Sequence, residues 1–242
     1  MNADLDAKVA AIPYWYHRIE LPDGVVTPGW APNVSAHYRI PKDLTGLRVL
    51  DVGAWDGYWT FEALKRGARE VLAIDDFSDG LGLNVARQEK WATFDLCRAA
   101  FGYGDDRVQR VETSVYDVTR ERFGDFDVVF FFGTLYHLRH PLLALDTLAA
   151  VCAGSIHIET AICDDYSPYR GGLGHGHGTE VVMEFYPDAQ LGDNITNWWT
   201  PTLGTLGNMV RIAGFKNVQG WKLTDKPQEI SECRGFATGT KA

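Results

Sequence analysis

Along residues 49–160 short apolar runs alternate with amphipathic stretches. Val49, Leu50 and Val52 make one run, Val71 to Ile74 a second, and Phe126 to Phe132 (FDVVFFF) the longest. Runs this short and this uniformly apolar predict strands buried on both faces. The pattern places strands over 49–53, 71–75, 108–113, 126–132 and 155–159, and helices over 57–66, 81–102 and 141–151. In the second helix Leu83, Arg87, Trp91, Phe94, Cys97 and Phe101 recur every three or four residues, which is a core stripe at helical period. Strands alternating with helices predict an α/β fold around a parallel sheet.

After Thr160 the alternation stops. Residues 161–199 are rich in Gly, His, Asp, Asn and aromatic side chains. A segment of that length is too long for a plain connector and reads as a substrate-binding insertion. Thr200 as N-cap, Pro201 at the first helical position and Gly214 beyond the end bracket a last helix with Leu203, Leu206, Val210 and Ala213 on one face. Two strands, about 217–224 and 232–239, then close the chain; with no helix between them they run antiparallel. The expected fold is a seven-stranded, mostly parallel, doubly wound sheet with its last strand antiparallel. Residues 1–45 read as an aromatic-rich extension over the active site, with a hairpin and loops at Pro22-Asp23-Gly24 and Pro28-Gly29, leaving 46–242 as the main domain.

Composition narrows the partners. The 242 residues carry 23 Lys and Arg against 32 Asp and Glu, a net charge of −9. Such a surface repels phosphate backbones, which disfavours a nucleic-acid partner. Four cysteines lie far apart with no C-x-x-C pair, so neither a zinc site nor a disulfide framework is predicted, and free thiols suit a reducing cytoplasm. No apolar run approaches the ~18 residues of a membrane span, and the first ten residues lack the features of a signal peptide. The expectation is a cytoplasmic protein without a membrane partner.

The chemistry concentrates in VLDVGAWDGYWTFEALKRGAREVLAIDDF, residues 49–77. A strand leads into a turn at Gly53 and Gly57, a helix follows, and the next strand ends on Asp75, where a carboxylate can accept from ribose hydroxyls. Asp76 and Phe77 adjoin it. A dinucleotide site would read G-x-G-x-x-G. Here Ala54, Trp55 and Asp56 stand between the glycines, so the middle glycine is a tryptophan and a negative charge sits beside the turn. A pyrophosphate would be repelled, whereas a zwitterionic or cationic ligand would not.

With DLTGLRVLDVGAWDGYW (43–59), GTLYHLRHPLLAL (133–145), SIHIET (155–160) and AGFKNV (213–218), the chain resembles class I S-adenosylmethionine-dependent methyltransferases. Within them it is similar to the tRNA wobble-uridine carboxymethyltransferase group and its small methyltransferase relatives. The resemblance implies S-adenosyl-L-methionine as cofactor, with Asp51, Gly53 and Gly57 around its methionine end and Asp75 on the ribose. Ser114 and Val115 fall at the adenine, and Trp30 matches the group's N-terminal tryptophan. Phe132, Gly133 and Tyr136 follow the fourth strand, and Tyr136 matches a tyrosine at the reactive end. Arg234 matches an arginine near the same place.

The two lysines that serve an added cofactor carboxylate in the group fall near His17 and His37 here, and neutral histidines hold a carboxylate less firmly. The group's helical tRNA-binding N-terminal domain has no counterpart in this sequence. Ordinary S-adenosylmethionine and a small-molecule acceptor, methylated at oxygen, are therefore expected. Wobble-uridine modification and a non-catalytic cofactor-binding module are the alternatives. A hydroxyl acceptor wants a base, and His17, His37, His137, His175 and His177 are the candidates by pKa. His175 and His177, even with Glu184 or Asp193, make too incomplete a ligand set for a metal to be expected.

Overall fold

The computed structural model describes residues 3–31, 35–78 and 89–241, which fall into two compact units, 1–113 and 114–242. The main sheet has seven strands. In the first unit β1 (Arg48–Val52), β2 (Glu70–Asp75) and β3 (Val108–Glu112) lie side by side in that order, all parallel. Helix α1 (Ala3–Ala11) precedes them, α2 (Tyr58–Lys65) joins β1 to β2, and α3 (Ala92–Phe101) leads to β3. Leu50, Val71 and Ala73 are fully buried, as the uniform apolar runs require.

The second unit begins with a short helix, α4 (Arg120–Phe123), capped by the Thr119 hydroxyl, and continues with β4 (Phe126–Phe132), α5 (Pro141–Val151) and β5 (Cys152–Ala161). β4 and β5 are parallel. The insertion folds into two small hairpins, β6 (Tyr166–Ser167) with β7 (Gly172–Leu173), and β8 (Met183–Phe185) with β9 (Trp199–Pro201). Helix α6 (Leu203–Ile212) then leads to β10 (Lys216–Lys222) and β11 (Arg234–Thr240). β11 inserts between β10 and β5 and runs antiparallel to both, with Phe236 opposite Glu159. The seven-stranded, mostly parallel sheet with an antiparallel last strand agrees with the sequence reading.

Three local expectations change. The N-cap of α6 is Thr202, whose hydroxyl accepts from the Thr205 amide at 3.3 Å; Trp199, Thr200 and Pro201 belong instead to β9, where proline sits on a two-stranded edge. The N-terminal segment opens with a nine-residue helix, because Leu5 and Val9, four residues apart, bury one face of α1. The helix expected over 81–102 is described only from Ala92, with Trp91 at its N-cap in a left-handed conformation (φ +67°); Leu83 and Arg87 lie outside the described residues.

β5 also buries an ionisable group that the alternation does not foreshadow. His157 is 6% exposed; its Nε2 lies 3.3 Å from the Ser155 hydroxyl, and its Nδ1 has no partner among the described residues. Burial pushes its pKa down to about 4. The unfolded imidazole titrates near ~6.5, so between these values the unfolded chain binds a proton that the folded chain refuses. This contribution to stability is complete above about pH 6.5 and is lost as the pH falls toward about 4, by on the order of 3 kcal/mol. Urea denaturation at about pH 7 and about pH 5 should show about 2 kcal/mol of that loss, and a His157→Phe chain should show less of it.

Candidate active site

In the first unit the chain turns tightly off the end of β1. Gly53 (φ +74°) and Ala54 both donate their amides to the Ile74 carbonyl, at 2.9 and 3.1 Å, which ties the turn to β2. Gly57 (φ +83°) donates to the Ala54 carbonyl at 2.7 Å and opens α2 as its N-cap. Between them Trp55 is held at φ +46°, a conformation that costs a bulky residue about 1–2 kcal/mol. What offsets that strain is Asp75. Its carboxylate accepts the Trp55 amide at 2.9 Å on one oxygen and the Phe77 amide at 2.7 Å on the other, and Phe77 is itself at φ +54°. The acidic end of β2 thus organises both loops that border it. Asp76 is half-buried and accepts the Ser78 amide at 3.0 Å.

The two other carboxylates of the turn differ in kind. Asp51, buried on β1, accepts the Thr60 hydroxyl at 2.6 Å, and burial pushes its pKa up to about 6. Asp56 is fully buried and faces the N-terminal segment, where its oxygens accept the His17 amide at 2.7 Å and meet His17 Nδ1 at 2.7 Å. The His17 ring stacks on Tyr58 at 4.8 Å between centroids. His17 is therefore engaged in pinning residues 14–31 to the turn, a role its place in the sequence does not reveal. His37 is exposed on a short 3-10 turn, Ser35–Tyr38.

Aromatic rings line the turn. Trp30, 64% exposed, donates its indole N–H to the Tyr14 hydroxyl at 3.0 Å. Tyr14 meets Trp55 edge-on at 6.1 Å, Trp55 meets Phe77 at 6.1 Å, and Phe77 meets Trp91 at 5.0 Å. Tyr14 and Trp91 were not singled out by the strand-turn-helix pattern, since only the fold puts them beside residue 55 or 77. Two acidic groups, Asp51 and Asp75, together with the aromatic rings along the turn suit a ligand that pairs a cationic centre with a heterocycle. S-adenosylmethionine has that chemistry, and the residues present fit it.

In the second unit Ser114 accepts the Asp117 amide at 3.0 Å through its carbonyl, and Val115 is buried beside it. Past β4, with Phe132 buried, Gly133 turns at φ +66° and donates its amide to the carbonyl of Glu159 at 3.1 Å and to its carboxylate at 2.9 Å. Glu159 is 3% exposed and pairs with Arg234, whose guanidinium lies 4.8 Å from the Tyr136 ring centroid. Tyr136 also packs with Tyr166 against Ala161, Tyr186 and Leu191. Glu159, the centre of this arrangement, was not among the sequence candidates; its signal was an acidic residue in the buried half of a strand.

The remaining histidines are placed differently. His137 Nδ1 lies 3.2 Å from the Thr196 carbonyl and 3.1 Å from its hydroxyl, and desolvation pushes its pKa down to about 4. It is neutral at ordinary pH and anchors the segment before β9. His175 is exposed. His177 bridges Glu184 at 2.6 Å and Glu180 at 3.1 Å, and buried Glu184 also accepts the hydroxyls of Ser167 and Tyr186. This network ties the two hairpins of the insertion together. Among the described residues no group of His, Cys, Asp and Glu is arranged to hold a metal ion.

A family model described as a methyltransferase domain matches residues 30–219. The chain belongs to this methyltransferase family. It is a class I S-adenosylmethionine-dependent methyltransferase. Similar curated proteins include the tRNA U34 carboxymethyltransferase of Ectopseudomonas mendocina, 27% identical over 179 residues, 73% of this chain and 47% of the relative. That of Azotobacter vinelandii is 30% identical over 181 residues, 73% and 48%. The chain thus spans about half the length of the curated relatives it matches. Among solved structures, the N-terminal domain of EvdMO1 with SAH bound covers 100% of this methyltransferase and 98% of its own chain at a TM-score of 0.67 and 18% identity. The 1,6-didemethyltoxoflavin-N1-methyltransferase of Burkholderia thailandensis covers 82% and 72% at 0.53 and 20%. Both likenesses carry the fold. No helix among the described residues is long and apolar enough to cross a membrane.

Proposed function

We propose that this methyltransferase methylates a small molecule, at oxygen, with ordinary S-adenosylmethionine held at the turn of residues 51–57 and at Asp75. The observation that carries the reading is the Asp75 carboxylate, pinned at the end of β2 by the Trp55 and Phe77 amides. When bound, S-adenosylmethionine supplies a methyl group on an electrophilic sulfonium. The chain's own part is to hold the adenosine hydroxyls at Asp75, to offer Asp51 to the cationic methionine end and to set aromatic faces of Trp30, Trp55 and Phe77 around the ligand. In the second unit, Tyr136, positioned by Arg234 and Glu159, is the residue proposed for the reactive end, and the insertion supplies acceptor contacts.

His17 bears on the form of the cofactor. Its Nδ1 is committed to buried Asp56, so it is not an open cation for an added carboxylate. That favours the unmodified cofactor over the carboxylated one. The second reading is wobble-uridine modification, favoured by the names of the curated relatives. Against it stands the net charge of −9, since a polyanion requires a basic surface.

Calorimetric titration of the full chain with S-adenosylmethionine and with its carboxylated analogue separates these readings. The unmodified cofactor should bind at least tenfold tighter; a preference for the carboxylated form would replace the proposal with the second reading. Asp51 adds a pH dependence. Its folded pKa, raised to about 6 by burial, means that the carboxylate is charged only above that pH. Affinity for the cationic cofactor should therefore fall as the titration is repeated at pH values stepping down through about 6, and Asp51→Asn should flatten the profile.

A further inference from the structure

Arg139 follows directly on the turn that carries Tyr136 and His137. Arg98, Arg110, Arg120, Arg170 and Arg234 each pair with a carboxylate, whereas among the described residues no carboxylate pairs with Arg139. Its guanidinium lies over the indole of Trp198 instead, 4.2 Å from the ring centroid. Its carbonyl accepts the Trp199 indole N–H at 3.3 Å. On the facing hairpin strand Phe185, 44% exposed, is nearly parallel to Trp198 at 6.4 Å and 16°, and meets Trp199 at 4.6 Å.

These rings are held by backbone bonds. Phe185 and Trp199 are partners in the β8 and β9 ladder, the Trp198 amide donates to the Tyr136 carbonyl at 2.7 Å, and the Phe185 carbonyl accepts the Tyr169 hydroxyl at 2.8 Å. An aromatic surface fixed in this way loses little entropy when a flat or pyranose ring stacks on it. A guanidinium lying on an indole keeps its N–H edge for an anion. The two elements adjoin, so one ligand can use both. One guanidinium beside these rings, on a chain of net charge −9, matches one anionic group, not the row of phosphates of a nucleic acid.

We infer that Arg139, Phe185, Trp198 and Trp199 form a docking platform for the acceptor, and that the acceptor is a small ring compound carrying one anionic group. This deepens the methyltransferase reading and rests on it.

The test is calorimetry on the full chain with four probes: 4-hydroxybenzoate, phenyl phosphate, neutral 4-hydroxybenzamide and a single-stranded RNA of about ten nucleotides. At least one small anion should bind tenfold or more tighter than the amide. Its carboxylate or phosphate identity names the anionic group. Arg139→Gln should abolish that preference, and Phe185→Ala, at an exposed ring, should weaken the anion and the amide together. Equal binding of anion and amide, no binding of either anion, a preference that survives in Arg139→Gln, or tighter binding of the RNA through the same two residues would overturn the proposal. A parallel titration with S-adenosylmethionine keeps the two readings apart: cofactor binding without probe binding defeats the platform alone, and probe binding without cofactor binding defeats the methyltransferase reading of the turn.

Discussion

Replacing Asp75 by alanine should abolish measurable S-adenosylmethionine binding. Two losses combine in that substitution. The ligand loses a carboxylate acceptor for its ribose hydroxyls, and hydrogen bonds to charged groups contribute about 1.5–3 kcal/mol each. The protein loses the acceptor that holds the Trp55 and Phe77 amides, at 2.9 and 2.7 Å, so two residues at positive φ lose the bonds that offset their strain. Together these should weaken affinity by well over a hundredfold, as about 2.7 kcal/mol already corresponds to that factor. Asp75→Asn separates the two losses. Its amide oxygen can accept one backbone N–H but carries no charge, so it should restore part of the loop order and little of the affinity. Calorimetry measures the binding, and a thermal melt followed by circular dichroism confirms that each variant is folded. Undiminished affinity in a folded Asp75→Ala chain would remove the ribose assignment.

The parts of the site legible in the sequence are those set by local rules. FDVVFFF is a strand over the predicted residues 126–132 because only a doubly covered strand tolerates so uniform an apolar run. The glycine turn, with positive φ at residues 53 and 57, follows from glycines at a strand end. What the sequence hides is decided by partners far along the chain. Asp56 reads as a charge open to a ligand, yet it faces His17, 39 residues away. Glu159 meets Arg234 across 75 residues, in a pairing that exists only because β11 lies against β5. Thr200 and Thr202 are equally good caps by residue type, and the ladder between β8 and β9 chooses the second.

The same contrast between local rule and distant partner applies to Gly57, where substitution should have a large effect on stability. Its φ of +83° alone penalises a side chain. A Cβ at residue 57 would also lie 2.6 Å from Phe61 Cε2 and 2.7 Å from Phe94 Cδ2. Both rings are fully buried and pack against each other at 5.3 Å, so neither can swing away without opening the core between α2 and α3. Conformational strain of about 1–2 kcal/mol and overpacking of about 1–3 kcal/mol add to an expected loss of about 2–5 kcal/mol in Gly57→Ala. Gly102 provides the comparison: its φ is +72°, but no atom lies within 4 Å of the position its Cβ would take. Gly102→Ala should therefore cost only the backbone part, about 1–2 kcal/mol. Urea denaturation of both variants reads the difference directly. If the two substitutions destabilise equally, the collision with Phe61 and Phe94 is relieved at no cost, and Gly57 is required for its backbone conformation alone.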